Sequence, residues 1–286
     1  MKLTSKNIKR IHINGSSNLS SGTIRFELFQ PLGIRKVSST WLPQLLGIGG
    51  FETKGDKLLE FWGLLKGDAF DKYYELRGEI AERLLVKAIE AKQFKVKRFS
   101  KEDNSKFDFF QFDENDERKH AKLYKYFGGL PDIVYNDGTE DVLLEVKSKD
   151  LSALDKIINT PPEYEIMQGK QLALLYGLNK VTMTYVLFSE KAVRKMYLAM
   201  PEGEAPFNLE ECIAKFYTSI GELQYGKDKD YFIIKKTYTI DKQDMLDKMK
   251  QAYKYADNFK QTLTISLDDI SKDVRSQIFA LEREIG

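Results

Sequence analysis

Three side chains near the middle of the chain have the types and spacing that phosphate chemistry uses. Glu145 and Lys147 lie two residues apart in the run DVLLEVK, and Asp132 precedes Glu145 by 13 residues. Side chains alternate between the faces of a strand, so Glu145 and Lys147 share one face if 141–147 is a strand. Two carboxylates and an ammonium group at one point suit a divalent cation and a phosphodiester. The carboxylates would hold Mg²⁺ or Mn²⁺, and the lysine would position or help deprotonate the attacking water.

A tight turn is what would bring Asp132 to the other two residues. The sequence Asn136–Asp137–Gly138 is typical of a turn between antiparallel strands, which we predict at 132–135 and 141–147. An isolated Glu-x-Lys triplet is more often the solvated face of an edge strand. Asp132 upstream, with the turn between, favours a site instead.

A further carboxylate is predicted to face the core from a helix. Residues 71–92 are rich in strong helix formers, and Glu82 falls inside an apolar arc of that helix. A carboxylate facing the core is costly unless it is paired or binds a cation. Glu82 is therefore a candidate for the same site, and a buried salt bridge to an arginine such as Arg77 is the alternative.

Two glutamines accompany the apolar stripe of a later helix, predicted at 163–177 and ended by Gly177. Gln168 lies on the stripe and Gln171 lies beside it. Amides on an apolar stripe usually bind a backbone group or a ligand. These two could orient the lysine or touch a DNA phosphate, and an amide satisfied by a loop carbonyl is an equal alternative.

The remaining pattern alternates between strands and helices, which predicts one α/β domain with peripheral additions and no separating linker. Further strands are predicted near 23–29, 94–99, 107–112, 123–127, 181–187 and 231–240. Further helices are predicted from Ser39 or Thr40 to Gly47, over 208–222 and 241–262, and in the last twenty residues.

Composition limits the kinds of partner and cofactor. The chain has 45 basic and 43 acidic residues, so any binding of nucleic acid must come from local patches of basic residues. The single cysteine, Cys212, excludes an intramolecular disulfide and any thiolate-ligated zinc or iron–sulfur cluster. No apolar run resembles a signal peptide or a membrane span, so we expect a cytoplasmic protein of a bacterium or a phage-infected cell, without a membrane partner.

Together these residues resemble the PD-(D/E)xK nuclease superfamily, and within it the lambda-exonuclease or YqaJ type of phage recombination exonuclease. The resemblance rests on SSTWLPQLLGIGGFET (38–53), RGEIAERLL (77–85), GGLPDIVYNDGTEDVLLEVKSK (128–149) and PPEYEIMQGKQLALLYGL (161–178). It covers about half of the chain, roughly 38–188. It implies a restriction-endonuclease-like core, in which helices flank a central mixed β-sheet, with 1–286 forming a single nuclease domain.

The resemblance also implies an activity and a role for each matching residue. The implied metal ligands are Glu82, Asp132, Glu145 and the backbone carbonyl of Val146, with Lys147 as catalytic lysine and Gln168 as the helix glutamine of the site. The implied reaction is Mg²⁺-dependent digestion of linear duplex DNA from the 5′ end during phage-type recombination, with Mn²⁺ able to substitute for Mg²⁺. The implied assembly is a ring-shaped trimer that works beside a single-strand annealing protein.

The sequence departs from this family around the pocket for a terminal 5′-phosphate. The family uses an arginine shortly before a Ser-capped helix, and here the spacing differs, so Arg35 with Ser39 or Thr40 are candidates, and Gln171 is a further candidate DNA contact. An endonuclease of restriction or repair type would keep the same chemistry and cut internally. A member that only binds DNA is less expected, because binding alone does not require the full catalytic set.

Overall fold

The computed structural model describes residues 1–15, 21–31, 36–49, 52–67, 71–97, 123, 126–203, 205–256 and 261–285. The strands are β1 (Lys2–Leu3), β2 (Ile8–Gly15), β3 (Gly22–Leu28), β4 (Val37–Ser38), β5 (Leu65–Lys66), β6 (Val96–Lys97), β7 (Phe127–Gly128), β8 (Ile133–Asn136), β9 (Asp141–Asp150), β10 (Lys180–Phe188), β11 (Tyr231–Thr239) and β12 (Thr262–Ser266). The α-helices are α1 (Trp41–Leu45), α2 (Lys54–Phe61), α3 (Lys72–Glu90), α4 (Leu154–Asn159), α5 (Glu163–Leu175), α6 (Glu190–Ala199), α7 (Leu209–Ile220), α8 (Lys242–Ala256) and α9 (Lys272–Ile285). None of these helices is both long and apolar enough to cross a membrane.

The chain divides into two compact units. Unit 1 comprises Met1–Ala69, Phe112–Gly129 and Asp241–Gly286, and unit 2 comprises Phe70–Gln111 and Leu130–Ile240. The terminal segments, predicted as peripheral additions, therefore belong to unit 1. The predicted catalytic and metal-binding residues, which lie between positions 82 and 171, belong to unit 2.

Unit 2 contains a five-stranded mixed sheet in the order β11-β10-β9-β8-β6. The β9 strand runs parallel to β10 and antiparallel to β8, while β11 is antiparallel to β10. One face of β9, with Leu144 and Val146, packs with α3, α6 and α7 in a buried apolar core. Each fully buried aliphatic side chain of such a core contributes about 1.5–3 kcal/mol. The predicted α/β class, a central mixed sheet flanked by helices, is confirmed.

The hairpin β8–β9 forms as the turn sequence predicts. Asn136 Oδ1 accepts a hydrogen bond from the Gly138 backbone N–H at 2.9 Å, and Gly138 has a φ of 98°, a conformation that glycine adopts without strain. Asp137 Oδ1 accepts hydrogen bonds from the backbone N–H groups of Thr139 and Glu140. These bonds fix the register that pairs Ile133 with Leu144.

The α3 helix is held against β9 at its N-terminal half. Asp71 caps the helix, because its carboxylate accepts a hydrogen bond from the Tyr73 backbone N–H at 2.9 Å. Arg77, which is buried, donates to Asp150 Oδ1 at 2.6 Å and to the backbone carbonyl of Ser148 at 3.0 Å. The buried arginine that the sequence suggested as a partner for Glu82 therefore fastens α3 to the end of β9.

Unit 1 is built around a three-stranded antiparallel sheet in the order β12-β3-β2. The strand predicted at 23–29 is confirmed as β3, the central strand of this sheet. Its two neighbours were not predicted, because the sequence analysis placed no strand at 8–15 or at 262–266. Their pairing joins segments at opposite ends of the sequence, so no local pattern reveals it.

The start of α1 differs in one detail from the prediction. The helix begins at Trp41, and the hydroxyl that accepts its backbone N–H, at 3.3 Å, is that of Ser38. Thr40 occupies the capping position with helical backbone angles, and its side chain makes no capping hydrogen bond. The helix start predicted at Ser39 or Thr40 is therefore confirmed, while the hydroxyl that reaches the first turn is that of Ser38, at the end of β4.

Candidate active site

Asp132 is joined directly to the strand that carries Glu145 and Lys147. Asp132 Oδ2 accepts a hydrogen bond from the Val146 backbone N–H at 2.7 Å. Continuing the register of the hairpin by one residue past the pair Ile133–Leu144 sets Asp132 opposite Glu145. The first carboxylate is therefore fixed by the backbone of β9, and its position does not depend on a flexible side-chain contact.

Glu145 has a buried carboxylate group, of which one oxygen accepts a hydrogen bond and the other has no hydrogen-bond partner within the described residues. Only 5% of the residue is exposed. Its Oε1 accepts a hydrogen bond from Lys147 Nζ at 2.8 Å. Its Oε2 is buried and has no hydrogen-bond partner among the described residues. A carboxylate oxygen without water or a donor is costly, and a cation is one way to satisfy it.

The charges around Glu145 act in opposite directions. Burial and the negative charge of Asp132 raise the pKa of Glu145, Lys147 opposes both, and the net pKa is about 7. Burial acts to lower the pKa of Lys147, but the charges of Glu145 and Asp132 outweigh burial and raise it above its ordinary value. Lys147 thus keeps its positive charge at neutral pH, and the two carboxylates repel each other.

This pair of carboxylates has the donor chemistry that a hard divalent cation requires. Magnesium prefers oxygen ligands, keeps several of its waters and is commonly bound through only one or two protein carboxylates. Within the described ranges, no three His, Cys, Asp or Glu side chains come together in a way that could hold a metal ion. Asp132 and Glu145 therefore fit Mg²⁺ as a two-carboxylate site with one unsatisfied buried oxygen, and a cage formed wholly by protein side chains is not present there.

Glu82 lies on α3, half-buried at the edge of the buried stripe. Residues on either side of it in the sequence, such as Ala81 and Leu85, are buried in the core. The helix packs on the face of β9 that carries Leu144 and Val146. Glu82, Asp132 and Glu145 do not come together as one group of carboxylates that could hold a metal ion. Its role as a metal ligand stays a prediction, as does that of the Val146 backbone carbonyl.

The α5 helix covers the face of the sheet that carries Glu145. Gly169 is the point of closest approach: a Cβ atom there would lie 2.6 Å from Met183 Sδ and 3.4 Å from Glu145 Cβ. Gln168, next to Gly169 in the helix, is 8% exposed, and Gln171 is fully buried. Both glutamines are therefore buried. Their functional roles stay predictions.

The candidates for a terminal-phosphate pocket are described only in part. Ser39 and Thr40 belong to unit 1, beside the start of α1, where Ser39 is half-buried and Thr40 is exposed. Arg35 lies outside the described residues, as does the strand predicted at 107–112.

A second buried carboxylate on the same face was not predicted. Glu165, on the first turn of α5, is 2% exposed and accepts a hydrogen bond from Lys149 Nζ at 2.5 Å. Its charge contributes to the raised pKa of Lys147. The only signal in the sequence was the alternation on β9, which sets Lys149 on the same face as Glu145 and Lys147.

No family model and no curated protein sequence matches the chain. Among solved structures, the chain is similar to an alkaline exonuclease (LHK-Exo) from Laribacter hongkongensis, with 12% identity and a TM-score of 0.39 over 87% of this chain and 92% of that one. A structure of LHK-Exo in complex with dAMP has a TM-score of 0.41 with the same identity and coverage. A phage-related exonuclease from Haemophilus somnus 129PT has 14% identity and a TM-score of 0.44 over 78% of this chain and 92% of that one. These three are structures of exonucleases.

Proposed function

We propose that this protein is a metal-dependent deoxyribonuclease that hydrolyses phosphodiester bonds with Asp132, Glu145 and Lys147. The observation that carries the proposal is the Glu145 carboxylate, buried beside a second carboxylate and a lysine, with Oε2 unpaired within the described residues. An unpaired buried oxygen alone does not identify a cation ligand, since Asp56 Oδ2 and Glu165 Oε2 are unpaired in the same way within the described residues. Glu145 differs because a second carboxylate, Asp132, lies beside it, and a cation bound to both would offset their repulsion.

Each residue has a distinct task in this proposal. Asp132 and Glu145 hold Mg²⁺, or Mn²⁺ in its place, with Glu82 and the Val146 backbone carbonyl as further proposed ligands. The bound cation supplies charge stabilisation at the phosphate and acidifies a bound water. Lys147 acts as a positive donor toward the phosphate or the attacking water, because its raised pKa keeps it protonated. Gln168 is proposed to orient this group.

We further propose that the enzyme is an exonuclease on linear duplex DNA, acting from the 5′ end in phage-type recombination. The motif blocks at 38–53, 77–85, 128–149 and 161–178 support this finer assignment. They also support a trimeric ring and a single-strand annealing protein as partner. Arg35, Ser39 and Thr40 are the proposed contacts to DNA. The Gln171 side chain has no exposed surface, so the direct DNA contact considered for it from the sequence is not proposed.

The deciding experiment compares linear and covalently closed duplex DNA of identical sequence, incubated with Mg²⁺, with Mn²⁺ and with a chelator. We expect progressive loss of the linear duplex from its 5′ ends, survival of the closed circle, and no reaction with the chelator. Discrete internal fragments, or rapid linearisation of the circle, would favour the endonuclease alternative. Retained DNA binding with no cleavage under any metal would favour a binding protein and refute the catalytic assignment.

Glu82 requires its own test, because it could be a ligand or a structural group. If Glu82 is a ligand, Glu82→Gln raises the Mg²⁺ concentration needed for half-maximal cleavage and leaves the melting temperature nearly unchanged. An unchanged Mg²⁺ requirement, together with a large loss of melting temperature, would identify Glu82 as a structural ion-pair partner instead. Glu79→Gln, one turn earlier on α3 in a pair with Arg83, is the matched control.

A further inference from the structure

Glu165 is a buried carboxylate that the proposed reaction does not use. Its Oε1 accepts hydrogen bonds from Lys149 Nζ at 2.5 Å and from the Tyr164 hydroxyl at 3.2 Å. Its Oε2 is buried and has no hydrogen-bond partner in the described part of the chain. Burying an ionised carboxylate costs several kcal/mol, which a single ion pair seldom recovers in full. Its presence therefore suggests a role beyond stability.

The partner of this carboxylate lies next to the catalytic lysine. Lys147 and Lys149 are alternate residues of β9, so both lie on the face covered by α5, about 6.6 Å apart along the strand at about 3.3 Å per residue. Their side chains are 22% and 26% exposed, so both are partly open to solvent. The carboxylate partners are far more enclosed, at 7% for Glu145 and 3% for Glu165.

Both lysines retain hydrogen-bonding capacity. An ammonium group has three N–H donors. Among the described residues, Lys147 donates one hydrogen bond, to Glu145, and Lys149 donates one, to Glu165. Each lysine therefore has two N–H donors left for a ligand, on an ammonium group whose position is fixed by a buried carboxylate.

The opposite face of the same strand offers no comparable group. There, Ser148 and Asp150 are engaged by the buried Arg77, which donates to both. The partly exposed positive charges of this part of β9 are thus confined to the face of Glu145. A polyanion that enters the site along β9 meets Lys147 and then Lys149.

We propose that Lys149, held in place by Glu165, binds the DNA phosphate adjacent to the one at Lys147. This inference rests on the proposed nuclease function and adds a residue that fixes the register of the strand being cut. Phosphates recur about every 3.4 Å along the helix axis in one strand of B-DNA, and two lysines whose strand positions are about 6.6 Å apart have side chains long enough to reach neighbouring phosphates. Glu165 is a positioning residue, because it limits the rotamers of a long side chain before the DNA binds.

Salt dependence of DNA binding tests the phosphate contact directly. Each phosphate neutralised contributes about 0.9 to the slope of log K against log salt for duplex DNA, or about 0.7 for a single strand. With divalent cations chelated to prevent cleavage, binding of an end-labelled duplex is measured by fluorescence anisotropy at several KCl concentrations. Lys149→Gln is expected to lower the magnitude of that slope by about 0.7–0.9. Lys180→Gln, an exposed lysine at the far end of β10, is the control and is expected to leave it unchanged.

Two further variants separate positioning from folding. Lys149→Gln alone leaves Glu165 buried without its lysine, so the double variant Lys149→Gln/Glu165→Gln removes both charges and is expected to fold and to show the same reduced slope. Glu165→Gln alone keeps the lysine charge, so the slope is expected to persist while the dissociation constant rises a few-fold. Glu163→Gln, exposed on the same helical turn, is expected to alter neither quantity.

The outcomes distinguish this inference from the proposed function. Wild-type slopes in both Lys149 variants, in a protein that still cleaves DNA, would overturn the phosphate contact and leave the nuclease proposal intact. A Glu165→Gln variant that loses stability but binds DNA as tightly as the wild type would make Glu165 a structural residue. A wild-type protein that neither binds nor cleaves DNA would overturn both proposals.

Discussion

Replacing Glu145 by glutamine should stabilise the metal-free protein at alkaline pH while abolishing cleavage. Burial and the charge of Asp132 raise the pKa of Glu145 from 4.5 to about 7. One pKa unit corresponds to about 1.4 kcal/mol, so the ionised carboxylate costs the fold about 3 kcal/mol above pH 7. The neutral amide avoids that cost. Lys147 keeps the amide oxygen as an acceptor but loses a charged partner, which offsets about 1 kcal/mol and leaves a net gain of about 2 kcal/mol.

The sign of the pH dependence follows from the raised pKa. Between pH 4.5 and 7 the folded wild type holds a proton that the unfolded chain has lost, so the wild type loses stability as pH rises through this window. Glu145→Gln has no proton to lose here. The stability difference between the two proteins is therefore expected to be largest near pH 8 and to vanish near pH 5.

Chemical denaturation at pH 5 and pH 8, in a chelator and in Mg²⁺, measures both effects. Added Mg²⁺ at pH 8 is expected to stabilise the wild type, because the cation compensates the buried charges, and to have little effect on Glu145→Gln. Glu140→Gln, an exposed hairpin residue, is the control. If Glu145→Gln destabilises the metal-free protein equally at both pH values, Glu145 is a structural ion-pair residue and the reasoning is refuted.

Three other substitutions test single contacts of the site. Lys147→Ala is expected to abolish cleavage at saturating Mg²⁺ while DNA binding, measured by anisotropy, falls only a few-fold; near-wild-type cleavage would remove the lysine from the mechanism. Asp132→Ala removes the acceptor of the Val146 N–H, so denaturation should show a loss of about 1–3 kcal/mol together with loss of cleavage. Gly169→Ala places a methyl group 2.6 Å from Met183 Sδ and should cost about 1–3 kcal/mol and lower kcat. Gly78→Ala, in a helix with nothing within 4 Å of the added Cβ, should instead stabilise the protein by about 0.5–1 kcal/mol.

The hairpin that carries Asp132 and Glu145 was predictable because its determinants are local. A strand alternates its side chains with a period of two, and the Asn136–Asp137–Gly138 turn fixes which residues face each other. Those two facts are enough to set Asp132 beside Glu145. The helix predicted at 71–92 could also be predicted from local sequence, since it has strong helix formers and an Asp71 cap.

Features that depend on distant segments could not be predicted in the same way. The partners of β3 in unit 1 come from residues 8–15 and 262–266, and only tertiary pairing makes them strands. Glu82 was expected inside an apolar arc, and it lies half-buried at the edge of the stripe because the packing of α3 on β9 selects a narrower set of buried positions. An apolar arc on a helical wheel shows which side is buried, but it does not show where burial stops.

Glu165 shows why a buried carboxylate is difficult to predict from sequence. In the first turn of a helix an acidic residue is expected at the surface, where it favours the helix dipole. Here the close approach at Gly169 draws α5 onto the sheet and buries Glu165 as well. Buried Asp56 accepts a hydrogen bond from the backbone N–H of Ser271, and buried Asp230 accepts one from the Gln224 N–H and another from the exposed Lys191, so a lysine partner alone does not mark a site. Glu145 and Glu165 differ from both because their lysines, Lys147 and Lys149, lie on one face of one strand, where an anionic substrate would meet both.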